Sequence, residues 1–157
     1  MPGQRQDYIL RQIELLRQFI ARLASGNRDR EWEEALLLSL HLQEKLLPVP
    51  PADFLRLDLA AQIEALRRNE SASAAQEKIL TYAALLAETA ALYDLKDRTD
   101  LAAGARQMGL YAALCAALED RRNAPASALV EKLAAAIDPA DLHAPVAELL
   151  AEFRATG

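Results

Sequence analysis

A chain of 157 residues, 52% apolar and 26% charged, has the balance of one globular domain and not of a disordered segment. Folding at this length hides roughly 70% of the unfolded surface, enough for a core without staples. The single cysteine, Cys115, excludes an intramolecular disulfide, and the net charge of −5 argues against a dedicated nucleic-acid binder.

Ala and Leu dominate, glycine is scarce and β-branched residues are few, so helix formers are plentiful and strand formers are not. The first helix is expected from about Gln4 to Ala24. Ile9, Ile13, Leu16, Ile20 and Leu23 share one stripe, widened by Leu10, Leu15 and Phe19, with Arg11, Glu14, Gln18 and Arg22 opposite. Ser25-Gly26-Asn27 ends it, with Gly26 suited to a left-handed cap. A second helix is expected from about Asp29 to Leu47. Glu31, Glu33 and Glu34 favour its positive end, and there are two apolar stripes: Trp32, Leu36, Leu40, Gln43 and Leu47, then Leu38, Leu42 and Leu46. Pro48 stops it.

A third segment covers about Ala52 to Arg68, with a break near Asp58 and a stripe of Leu55, Leu59, Ile63 and Leu66. Ser73 with Gln76 reads as a capping box for a fourth helix from about Ala74 to Leu95. After the turn Asp97-Arg98-Thr99, a fifth helix runs from about Asp100 to Asp120. It carries Leu101, Ala105, Met108, Ala112 and Cys115 on one face, and Gly109 permits close approach. A turn this short makes the two helices antiparallel neighbours. Asn123 and Pro125 open a sixth helix to about Ile137, Asp138-Pro139 is a further cap, and Pro145 breaks or restarts the last segment. The expected architecture is therefore all-α, a single domain over residues 1–157 of six to seven helices in antiparallel hairpins.

Charge is uneven. Residues 1–30 carry Arg5, Arg11, Arg17, Arg22, Arg28 and Arg30 against Asp7, Glu14 and Asp29, a local +3. Residues 123–157 carry Lys132 and Arg154 against Glu131, Asp138, Asp141, Glu148 and Glu152, a local −3. The start of the chain has no h-region like a signal peptide's, and the uncharged run Gln107–Leu118 is short of the roughly 20 residues a spanning helix needs. A soluble, cytoplasmic protein is expected, with no membrane partner.

The segment Asp7-Tyr-Ile-Leu-Arg-Gln-Ile-Glu-Leu-Leu-Arg-Gln-Phe-Ile-Ala-Arg-Leu23 resembles the start of an uncharacterised bacterial all-helical family, whose members open with an aromatic residue, a Leu-Arg-Gln-Ile-Glu stretch and an apolar helix. That resemblance implies a helical fold and carries no functional residue. Leu85–Leu118 resembles one tetratricopeptide-type hairpin, through Leu86, Ala90 and Tyr93 in the first helix and Ala102 in the second. Lys96 or Asp97 stands where that repeat has a small residue, and Arg106 where it has an aromatic one. The resemblance implies a groove face of Ala84, Ala87, Ala91 and Asp94, without the basic residues that clamp a peptide carboxylate.

Sites of reaction chemistry are missing from the pattern. The two histidines, His41 and His143, belong to no Glu-x-x-His, His-Glu-x-x-His or Cys-x-x-Cys arrangement. Glycines stand at 3, 26, 104, 109 and 157, never as a phosphate loop. Acid pairs such as Glu33–Glu34 are adjacent, so on a helix they diverge by about 100°. Cys115 lies in an apolar run and reads as a small buried hydrophobe. No catalytic, cofactor-binding or metal-ligating residue is assigned, and the expectation is not an enzyme. The expected role is a helical protein–protein interaction or scaffold module, its partner another protein or a second copy. Arg11, Arg22, Trp32, Tyr82, Tyr93 and Tyr111 are the candidate surface. The alternatives are a small-ligand sensor with an inter-helix pocket near Trp32 and the tyrosines, and, less favoured, a nucleic-acid factor using the N-terminal arginines.

Overall fold

Two helices that are apolar on nearly every side form the centre of the molecule, and the amphipathic ones pack around them. The computed structural model describes residues 2–23 and 29–155, with side chains from Asp7 onward. Among these residues all regular structure is helical: α1 (Pro2–Leu23), α2 (Asp29–Leu46), α3 (Pro51–Phe54), α4 (Leu59–Arg67), α5 (Ala72–Asp94), α6 (Thr99–Glu119), α7 (Ala124–Ala135), a 3-10 turn at Pro139–Asp141, and α8 (Ala144–Ala155). The cap expected at Gly26 lies outside the described residues.

α5 and α6 are the central antiparallel hairpin. α1 and α2 pack on α5, α7 and α8 on α6, and α4 across both. One hydrophobic cluster joins them all, from Ile9 on α1 to Leu150 on α8. Small residues set the α5–α6 spacing: Ala83 and Ala90 on one helix, Ala102, Ala112 and Ala116 on the other, are fully buried. The connecting turn is closed by Asp97 at φ 55°, with the Arg98 amide donating to the Tyr93 carbonyl, a Schellman-type stop. Asn69, at φ 63°, plays the same left-handed role after α4.

The two glycines of α6 have opposite surroundings. A Cβ on Gly109 would meet Leu86 Cβ at 3.3 Å and Leu133 Cδ1 at 3.4 Å, whereas one on Gly104 meets nothing within 4 Å. Gly104→Ala is therefore expected to stabilise the fold by about 0.5–1 kcal/mol through helix propensity. Gly109→Val is expected to destabilise it by about 1–3 kcal/mol through overpacking. Urea denaturation of both variants checks this, and shifts of the same sign would refute it.

Several local expectations are corrected. The break near Asp58 is real, with Asp58 accepting from the Ala61 amide as the cap of α4, but Leu55 is 57% exposed. The cap of α5 is Ser71, accepting from the Ala74 amide, not Ser73; Gln76 instead donates to the Ala116 carbonyl and accepts from Asn123, tying α5 to α6 and α7. α2 buries one stripe, Ala35, Ser39, Leu42 and Leu46, where two apolar stripes were expected. The polar Ser39 is in that stripe because it approaches α5: its hydroxyl lies 2.5 Å from Thr89 Oγ1, and Thr89 donates onward to the Leu85 carbonyl, so Ser39 is the donor. Leu10 and Leu15 do not widen the buried stripe of α1, being 47% and 53% exposed, and Leu101 of α6 is exposed too. Among the described residues α6 has the length and hydropathy of a membrane span, longer than the run read from sequence, yet 56% of its apolar stretch is buried inside the fold, as in a core helix.

Candidate functional site

α5 has more apolar surface than its neighbours cover. Most of its turns are buried, and its residues are apolar on most sides, a pattern that belongs to a helix enclosed nearly all round. Yet Glu77, Leu80, Thr81 and Ala84, spaced i, i+3, i+4 and i+7, floor an open groove of about 690 Å³. Asp7, Leu10 and Arg17 of α1 form one wall; Pro125, Ala128, Leu129 and Lys132 of α7 form the other.

The register of the walls follows from cross-helix contacts. Arg17 Nε donates to Glu88 Oε1 at 2.9 Å, which fixes α1 beside α5. α2 runs antiparallel to α5, since Trp32 reaches Leu92 and Ser39 reaches Thr89. α1 turns back from α2, with Tyr8 under Lys45 at 4.7 Å, so α1 is parallel to α5. α7 is parallel as well: Asn123 Nδ2 donates to Gln76 Oε1 at 3.0 Å, and Leu133 sits with Leu86 over Gly109.

The Arg17–Glu88 pair is the electrostatic pin of this arrangement. The Glu88 side chain is only 7% exposed, and a buried carboxylate is costly unless a cation meets it. Arg17 also holds Glu14 at 2.7 Å, and its hydrogen bond to Glu88 raises the guanidinium further above its ordinary range, outweighing partial burial.

The residues singled out from the sequence do not come together. Arg11 is exposed on α1, and Arg22 lies over the Phe19 ring at 5.4 Å. Trp32 donates its indole N–H to the Leu92 carbonyl at 2.7 Å, satisfying a carbonyl that the end of α5 leaves without a helical partner. Lys96 covers the same ring and pairs with Asp29, so this corner latches α2 to the α5–α6 turn. Tyr82 is a core residue, 2% exposed, set edge-on against Phe54. Tyr93 is half-buried at the end of α5, and Tyr111 is half-buried on α6, one turn before Cys115. Burial pushes the Cys115 thiol up to about 11 and raises the Tyr111 hydroxyl as well, which makes the thiol unreactive near neutral pH. None of these residues lines the groove. Of the tetratricopeptide-type face, Ala84 lies in it, while Asp94 is paired with Arg106.

His41 is exposed on α2, and His143 donates its backbone amide to Gln107 Oε1 at 3.2 Å. Among the described residues no cluster of His, Cys, Asp and Glu is arranged to hold a metal ion. The sequence signal for the groove was the surplus of apolar positions on α5 beside the exposed Leu10. No protein-family model, curated protein or solved structure matches this chain.

Proposed function

We propose that this chain is a non-catalytic helical interaction module, soluble and cytoplasmic, that takes an apolar helix of a protein partner into the groove across α5. The observation that carries the reading is the helix-spaced floor Glu77, Leu80, Thr81 and Ala84, left open between two parallel walls. A helix laid there would enclose α5 as its composition calls for, in the mode by which amphipathic helices enter apolar grooves. The tetratricopeptide-like reading of Leu85–Leu118 agrees with this, since helical-hairpin repeats bind along concave helix-lined faces.

The test is a display selection of helical peptides on the whole chain, with Ala84→Trp as the counter-target because an indole at 84 fills the floor. Peptides enriched on the natural chain are expected to lose at least about tenfold in affinity, 1.4 kcal/mol, on the variant. Circular dichroism should match between the two proteins. Enrichment that is indifferent to Ala84→Trp would refute the groove. The groove also lies in the roughly 300–1,000 Å³ range of small-ligand sites, which supports the sensor as a second reading. A metabolite that raises the melting temperature of the natural chain but not of Ala84→Trp, with no peptide enriched, would favour that reading.

A further inference from the structure

The groove is electrically lopsided. Asp7 on one wall and Glu77 on the floor lie at the end nearest the start of α5, and both are without an ion pair among the described residues. Lys132, also unpaired, stands on the opposite wall toward the other end. Arg17 adds little free charge there, because Glu14 and Glu88 already meet it. With α7 parallel to α5, Lys132 is level with the turn after Ala84. At 1.5 Å per residue the acidic and basic ends are therefore separated by roughly 12 Å, about two turns of helix. A neighbouring hollow of about 470 Å³ shares Glu77 and Leu80 and reaches Glu119 and Asp120, whose charges are met by Arg67 and Arg122.

We infer that the groove accepts its partner in one direction: an amphipathic helix parallel to α5, with a cationic first turn beside Asp7 and Glu77 and an acidic last turn beside Lys132. Two independent charge effects agree on this orientation. The side-chain charges of such a helix meet opposite charges at both ends. Its backbone dipole does the same, since the positive N-terminus faces two carboxylates and the negative C-terminus faces a lysine. The reverse orientation of the same helix opposes both. Leu80 and Ala84 of the floor, with Leu10 and Leu129 of the walls, supply affinity, and the charged ends supply register and sense. This inference rests on the groove reading above and specifies its partner.

Stapled versions of the selected peptides, matched in helicity, test it. Exchanging the charged residues of first and last turns is expected to weaken binding by roughly tenfold, since exposed charges at helix ends give about two- to fivefold each. Lys132→Glu should shrink the preference between the two peptides without abolishing it, because Asp7 and Glu77 still favour the cationic first turn. A nitroxide on the first peptide residue should broaden the amide signals of Asp7 and Glu77 more strongly than that of Lys132. Equal affinity of the two peptides, a preference untouched by Lys132→Glu, or broadening strongest at Lys132 would overturn the direction while leaving the groove in place. A selection that yields no groove binder at all would remove both.

Discussion

Truncating Tyr82 to alanine is expected to lower the unfolding free energy by about 3–5 kcal/mol, the range for deleting a buried ring. Tyr82 is 2% exposed and Phe54 is fully buried, and the two rings meet edge to face with centroids 5.6 Å apart at 83°. Phe54→Ala should cost a similar amount for a further reason. α3 has four residues, too short to hold a helical conformation by itself, and Phe54 is its only buried side chain. Losing that anchor frees the Pro51–Leu57 connection as well as opening a cavity. In a double-mutant cycle the pair should couple by about 0.5–1.5 kcal/mol, the edge-to-face increment beyond area burial. Urea denaturation followed by circular dichroism measures all three variants. A loss below about 1 kcal/mol for either single variant would contradict the packing described, because surface substitutions fall in that range.

What the sequence made legible was periodicity. The stripe Ile9, Ile13, Leu16, Ile20 and Leu23 is buried as its spacing requires, and the turn at Asp97 separates antiparallel helices. Asn123 caps α7 through the Ala126 amide, with Pro125 just inside the helix, as the local pattern indicated. Periodicity cannot say how many neighbours a helix has. On α2, Leu36, Leu38, Leu40, Leu42 and Leu46 offer two apolar faces. Only the position of α5 decides that Ser39 is buried and Leu37 is 66% exposed. The cap of α5 lies two residues before the expected one because Ser71 and Ser73 both precede an apolar run; Gln76, which completes the capping-box pattern with Ser73, is used across helices. The candidate surface suffered most. Aromatic rings are read from sequence as recognition groups, but Trp32 and Tyr82 have structural partners from elements 60 and 28 residues away. The groove, conversely, is built from short and ordinary side chains such as Ala84, Ala128 and Pro125, whose significance lies in what they leave uncovered.

The positive charge near the start of the chain also acquires a place. Among the described arginines near the start, Arg17 is committed to Glu14 and Glu88, Arg30 pairs with Glu34, Arg22 lies over the Phe19 ring and Arg11 is exposed. Arg17 is half-exposed, so its pairing is screened in part; its weight comes from Glu88, which would otherwise be a buried charge without a cation. The wall that α1 forms is thereby fixed in height against α5, and the spacing between Leu10 and Leu129 across the groove depends on it.

That dependence makes Leu16→Ala the second large expected effect, a loss of about 2–5 kcal/mol. Leu16 is fully buried in the middle of the α1 seam, adjacent in sequence to Arg17. From sequence the seam suits either a core or a dimer interface, and the fold resolves it inward, onto α5 and α2. The two cases separate in a measurement. If Leu16 packs within one chain, the destabilisation of Leu16→Ala is the same at low and high protein concentration. If it packed between chains, the loss would grow on dilution, because association then contributes to stability by mass action. The same variant should weaken groove binders more than Gly104→Ala does, since a loosened α1 carries Leu10 and Asp7 with it while Gly104 lies on α6, away from the groove. Urea midpoints at two concentrations a hundredfold apart, read beside peptide affinity, test both links. A concentration-dependent midpoint would place the seam between molecules and remove one wall of the groove with it.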